Sequence, residues 1–183
     1  MIRHLIEGFV VVVAVLVAAT LLAARRWPDP VSGLYGRIAA LTHPLADLGS
    51  VDFATFQRRS VPNDALICPE SLCQHAKPDL IGPVFPLPAA ELMDKLRIVV
   101  DSEPRSIQLE QPADAPKTQA RFVEYSALFY FPDVIDAVAV PAGAKASALA
   151  IYSRSVVGAG DGGVNRARLE RWVAALQRII PNP

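Results

Sequence analysis

The stretch that most constrains the fold is residues 148–180, ALAIYSRSVVGAGDGGVNRARLERWVAALQRII. It reads as a strand, a glycine-rich loop and a closing amphipathic helix. Gly158, Gly160 and Gly163 fit the G-x-G-x-x-G spacing of a dinucleotide-binding turn. That turn requires a second parallel strand after the helix and an acidic residue about 20 positions on for the ribose. No such strand follows here, and Asp161 inside the loop would repel a pyrophosphate. A βαβ unit is therefore not expected.

On a helical wheel Leu169, Trp172, Val173, Leu176 and Ile180 share one face. Asn165 falls within that face and Arg168 on its flank. An inward Asn must find partners, because an unpaired buried amide costs about 1–3 kcal/mol; Ser153, Arg154, Ser155 or the loop backbone would supply them. Arg166 and Arg168 occupy the first turns, where the helix dipole disfavours positive charge. Either acidic side chains such as Asp161 and Asp133 offset them, or the helix terminus receives an anion. Asp133, Arg154, Asp161, Asn165 and Arg168 thus form the candidate cluster, read as a structural clasp or as a ligand-binding site.

At the other end, residues 8–24 (GFVVVVAVLVAATLLAA) hold no charge. With Leu5 and Ile6 before Glu7, the run approaches the roughly 20 apolar residues that one membrane span needs. Arg25, Arg26 and Trp27 follow at once, a flank suited to a retained anchor rather than a cleavage site. One N-terminal transmembrane helix is expected within residues 1–27, meeting the membrane through residues 5–24. Residues 28–60 read as a linker and 61–183 as a single domain. Eighteen basic and eighteen acidic residues cancel, so no bulk field draws nucleic acid.

Cys68 and Cys73 lie in a proline-flanked loop and admit three readings. They form a local disulfide, which needs an oxidising compartment; they bind metal with His75, at an unusual spacing; or they are free thiols. The disulfide reading favours the periplasmic side of the membrane, whereas the basic residues after the apolar run lean toward the cytoplasm.

Between these ends, AAELMDKLRIVV (residues 89–100) has helical spacing at Leu92, Leu96 and Val99. Residues 106–110, 121–131, 134–140 and 147–153 read as strands, with a further strand near residues 66–68. The expectation is an α+β domain with an antiparallel sheet of four to five strands and two helices on one face. No histidine lies beyond His75, so no Ser-His-Asp arrangement is expected, nor any catalytic residue, metal or cofactor. Asp133 and Asp136 read as solvated charges, and so do Asp101 and Glu103.

The run IYSRSVVGAGDGGVNRARLERWVAAL resembles the C-terminal signature of an uncharacterised family, the domain of unknown function 1499. Ser153, Arg154, Ser155, Gly158, Asp161, Gly163, Val164, Asn165, Arg166 and Arg168 fill its pattern. RFVEYSALFYFPD is similar to the family's aromatic strand, and NDALICPESLC with AKPD and PVFPLP to the signature of its bacterial branch. Arg121, Glu124, Tyr125 and Ser126 depart from the pattern, which has a basic residue just before the Ser. The resemblance implies no established activity. The function expected is a non-catalytic binding or envelope-associated role. The alternative is a small enzyme or binding domain for an anionic or lipid-like molecule at Arg154 and Arg168.

Overall fold

The structure, a computed structural model, describes Val12, Val15, residues 48–127 and residues 130–180. The chain divides into two compact units, and the one holding the sheet and both helices spans residues 45–126 and 131–183. Its elements in order are β1 (Asp64–Cys68), β2 (Leu80–Ile81), β3 (Val84–Phe85), α1 (Ala89–Asp101), β4 (Ser106–Gln108), β5 (Gln119–Tyr125), β6 (Pro132–Gly143), β7 (Ala146–Ser155) and α2 (Val164–Ile179). The α+β class with two helices holds. The expected count of four to five strands does not: the sheet has seven, ordered β2-β1-β7-β6-β5-β4, with β3 pairing on β7. Two of the added strands are two-residue pairings in the proline-rich 78–88 segment, too short to leave an alternating pattern in sequence. The expected anchor at residues 1–27 lies outside the described residues, Val12 and Val15 apart. Among the described residues no helix is long and apolar enough to cross a membrane, so the transmembrane helix of the expected architecture is absent from what the structure describes.

The aromatic run expected as one strand over 121–131 is split. β5 ends at Tyr125, and the chain reverses so that Ser126 N–H donates to the Phe131 carbonyl at 3.0 Å and Phe131 N–H to Ser126 Oγ at 3.0 Å. β6 then runs antiparallel to both β5 and β7, with Phe122 opposite Ile135 and Ile135 opposite Ser153. Because strand side chains alternate, these rows fix which residues meet on each face.

On one face Ile67, Phe122, Ile135, Ala137, Leu149 and Ile151 pack against Leu92, Met93 and Leu96 of α1 and Leu169, Trp172 and Leu176 of α2. The Trp172 ring stands edge-on to Phe122 at 5.8 Å, a favoured aromatic geometry. On the other face Leu66, Ala150 and Tyr152 are covered by Phe53 and Phe56 and by the loop after β1, in which Cys68 and Cys73 form a disulfide. β7 therefore has both faces buried, which is why SALAIYSR carries so little polar alternation.

The loop after β1 is seated by one close approach. A Cβ on Gly82 would stand 2.3 Å from the Leu149 carbonyl oxygen and 2.8 Å from Pro69 Cδ, and neither neighbour is a flexible side-chain end. Gly82→Ala is accordingly expected to cost about 1–3 kcal/mol, read as a lower urea midpoint; an unchanged midpoint would show that the contact yields freely.

Candidate functional site

The stripe that buries α2 does not stop at its apolar residues. Asn165, Arg168, Leu169, Trp172 and Leu176 are all buried, at the helical spacing of a single face. Two polar side chains therefore descend onto the sheet beside the core. Arg168, expected on the flank, is only 1% exposed.

What receives it is written in the strand register. Glu124, Asp133 and Ser155 lie side by side on β5, β6 and β7, pointing toward the helices. Neighbouring carboxylates on paired strands repel. Arg168 spans them: Nη2 donates to Asp133 Oδ2 at 2.7 Å and Nε approaches Glu124 Oε2 at 3.1 Å. The Nε–H is not aligned on that oxygen, so this second contact is an ionic approach rather than a formed hydrogen bond. Nη1 donates to Ser153 Oγ and to Asn165 Oδ1, both at 2.8 Å. At the rim, Arg171 joins Glu124 to Glu103.

Asn165 knots the same corner to the glycine loop. Its Nδ2 donates to the Asn63 carbonyl at 3.0 Å, Ser155 Oγ at 3.0 Å and Asp161 Oδ2 at 2.8 Å, while Oδ1 accepts from Ser153 Oγ at 2.5 Å. Asp161 in turn accepts from the backbone N–H of Gly163 and of Asn165. It thereby occupies the place at the helix N-terminus where an anion would sit. Burial alone would raise this carboxyl, but the donations from Asn165 and Gly163 outweigh it and hold it below the ordinary Asp value. Gly162 and Gly163 take positive φ, 60° and 83°, to aim both N–H groups at Asp161. Arg166 stays outside the knot, on Glu170.

Arg154 is not part of this corner. Ser153 and Ser155 face the helices, so Arg154 between them faces the opposite side. There Arg154 Nη2 donates to the Gly49 carbonyl at 2.6 Å and Asp136 Oδ2 at 3.1 Å, and its guanidinium lies over the Tyr152 ring. Arg121 Nε donates to Asp136 Oδ1 at 3.0 Å. Tyr152 donates to Asp64, which is paired with Arg58. Burial pushes the Tyr152 phenol far above its usual value, reinforced by that carboxylate. Burial also pushes the Asp136 carboxyl up, against the pull of Arg154 and Arg121. Asp136, expected in solvent, is 3% exposed; this outer-face network escaped the sequence reading because both faces of the sheet are covered.

Beside Asp136 the outer face opens into a cleft of about 400 Å³. β5 and β6 form its floor with Gln119, Arg121, Asp136, Val138 and Val140, and Val51, Phe53 and Leu72 line it from above. A second, more open hollow of about 630 Å³ is lined by Arg58, His75, Lys77 and Asp79. Cys68 and Cys73 are bonded to each other and are not metal ligands. Among the described residues no group of three or more His, Cys, Asp and Glu side chains is placed to hold a metal ion.

Arg168→Ala leaves buried Asp133 without its cation and Glu124 with only the half-exposed Arg171, and should cost about 3–5 kcal/mol in denaturant unfolding. Asp161→Ala removes only a partly exposed cap and should cost about 1 kcal/mol. Because the folded carboxyl of Asp161 titrates below the unfolded one, this difference is present above about pH 4 and shrinks as the pH falls below it. Equal losses in the two variants, or a gap between wild type and Asp161→Ala that widens in acid, would contradict the assignment.

No curated protein and no solved structure matches this chain. A family model, described as protein of unknown function (DUF1499), matches residues 64–176, from the start of β1 into α2 and more than half of the 183 residues. The chain belongs to the DUF1499 family.

Proposed function

We propose that the domain is a non-catalytic binding module that takes a small amphipathic molecule in the outer-face cleft. The observation that carries this reading is the lining of that cleft: aliphatic Val51, Leu72, Val138 and Val140 beside a charged, hydrogen-bonded edge at Arg121 and Asp136. Its volume falls in the range of small-molecule sites, and apolar walls with a few fixed polar groups are what such sites share. From Asp136 to Val140 the floor runs about 13 Å along one strand, enough for an extended hydrocarbon segment. Gln111 and Gln119 add amides that can hydrogen-bond a head group.

The charges argue against an anionic head. Asp52, Arg121 and Asp136 line the cleft, and Asp136 already engages Arg121 and Arg154. No cation in the lining is left in excess, so a carboxylate or phosphate would lose hydration without a matching charge. The lipid-like alternative is thus retained, with an uncharged head and at the cleft. Arg154 and Arg168 face opposite sides of the sheet and do not form one site.

In this proposal the module is attached to a membrane through residues 5–24 and faces the periplasm, as in a membrane-anchored bacterial branch of the family. The uncharged run 8–24 supports the attachment, and the Cys68–Cys73 disulfide supports an oxidising compartment. Thiol alkylation of whole cells should modify Cys68 and Cys73 only after reduction; modification without reductant would remove the periplasmic placement.

Binding is tested with a neutral solvatochromic dye, displaced by a medium-chain monoacylglycerol or by the corresponding fatty-acid anion. The neutral lipid should displace the dye at the lower concentration. Val138→Arg, which puts a charge on the cleft floor, should weaken dye binding about tenfold or more. Equal binding by Val138→Arg and wild type, or stronger displacement by the anion, would rule the reading out.

A further inference from the structure

We propose that the Cys68–Cys73 disulfide is a redox latch on the cleft: its reduction releases residues 70–75, and with them the Leu72 wall. This inference rests on the cleft being the binding site.

The loop between β1 and β2 is held at both ends without help from the disulfide. At its start Pro69 is packed into the space left by the missing side chain of Gly82. At its end Asp79 N–H donates to the Leu66 carbonyl at 2.8 Å, and Asp79 Oδ2 accepts from Leu66 N–H at 2.8 Å. Arg58 adds an ion pair to Asp79 and a hydrogen bond to the Lys77 carbonyl. All of these contacts survive reduction.

The middle of the loop is held differently. Its backbone bonds are local, from Leu72 and Cys73 N–H to the Pro69 carbonyl and from Gln74 N–H to the Leu72 carbonyl. Such bonds shape the turn but do not tie it to the sheet. The covalent tie is Cys73 to Cys68, and Cys68 is fully buried in β1. Leu72 sits next to that bond, packs against the cluster that holds Phe53 and Tyr152, and lines the cleft. The rest of the wall comes from residues 50–54 and Gln111, and the floor is sheet. Breaking one bond therefore loosens one wall while the floor stays rigid, and a wall that is closed only part of the time lowers apparent affinity by that fraction.

The reductant is a dithiol. One of its thiolates attacks Sγ of Cys73, the less deeply buried of the two residues, forming a mixed disulfide as Cys68 leaves as a thiolate and takes up a proton. The second thiol of the reductant then displaces Cys73, which is protonated in turn. Two electrons and two protons reach the protein, and the reductant leaves as its own disulfide.

The test compares the full chain in three forms: oxidised, reduced by dithiothreitol, and the Cys68→Ser/Cys73→Ser double variant. Binding of the neutral dye and amide hydrogen exchange are read in each. Both disulfide-free forms are expected to bind the dye about tenfold more weakly. Exchange should quicken in residues 70–75 and stay unchanged in β6 and β7. Unchanged exchange at Leu72 and Cys73 would overturn the latch, as would unchanged affinity alongside quickened exchange. Faster exchange across the whole sheet would also overturn it, making the disulfide a support of the fold. If the oxidised chain binds no dye, the binding reading fails on its own. Quickened exchange confined to 70–75 would then still support the released loop, and its absence would dismiss it.

Discussion

The domain depends on one buried cation. Glu124 and Asp133 are neighbours on paired strands, drawn under α2 where water does not reach them well. Two adjacent carboxylates in that position would repel each other and resist desolvation together. Arg168 answers both from the helix above, and its planar fork also reaches Ser153 and Asn165. A lysine would carry the charge but not the fork. The contact does more than neutralise. Leu169 and Trp172 follow it on the same stripe, so seating Arg168 sets both the rotation and the axial position of α2 on the sheet. A hydrocarbon stripe alone would tolerate a slide that this ion pair forbids.

The second face obeys the same rule by other means. Asp64, Tyr152, Arg154, Asp136 and Arg121 run obliquely over β1, β7, β6 and β5, each charge answered by a neighbour or a backbone carbonyl. The cover here is not a helix but residues 51–56 and a short disulfide-closed loop. Such a cover is thinner and irregular, and it leaves Val138 and Val140 only partly buried. One face of the sheet is consequently sealed by two regular helices. The other is roofed in part, and the unroofed part is where apolar floor meets solvent.

How much of this the sequence disclosed follows from which periodicity carried the signal. The closing helix was legible down to the inward turn of Asn165, because five apolar positions fixed the wheel. The partners Ser153 and Ser155 were legible because a buried amide must be satisfied. Arg154 lies between them in sequence, but the strand's own alternation sends its side chain to the opposite face, onto Asp136. Asp136 reads as a solvated charge because β6 is buried on both sides, and in such a strand a polar residue has no polar row to belong to. The two-residue strands β2 and β3 are pairings made by tertiary contact, with β1 and β7 as templates. No local pattern encodes them.

The glycine loop shows why a recognisable motif and a functional site need not coincide. Its spacing invites a phosphate, yet Asp161 fills the helix N-terminus from within and Asn165 binds Asp161 to the sheet. An incoming anion would have to expel a carboxylate already hydrogen-bonded by two backbone N–H groups, gaining contacts no better than those it broke. The residues of the glycine loop and of the helix start are therefore engaged in holding α2 in place. Chemistry available to a partner has to lie where polar groups border open space, and in the described residues that directs attention across the sheet, to the edge formed by Arg121 and Asp136.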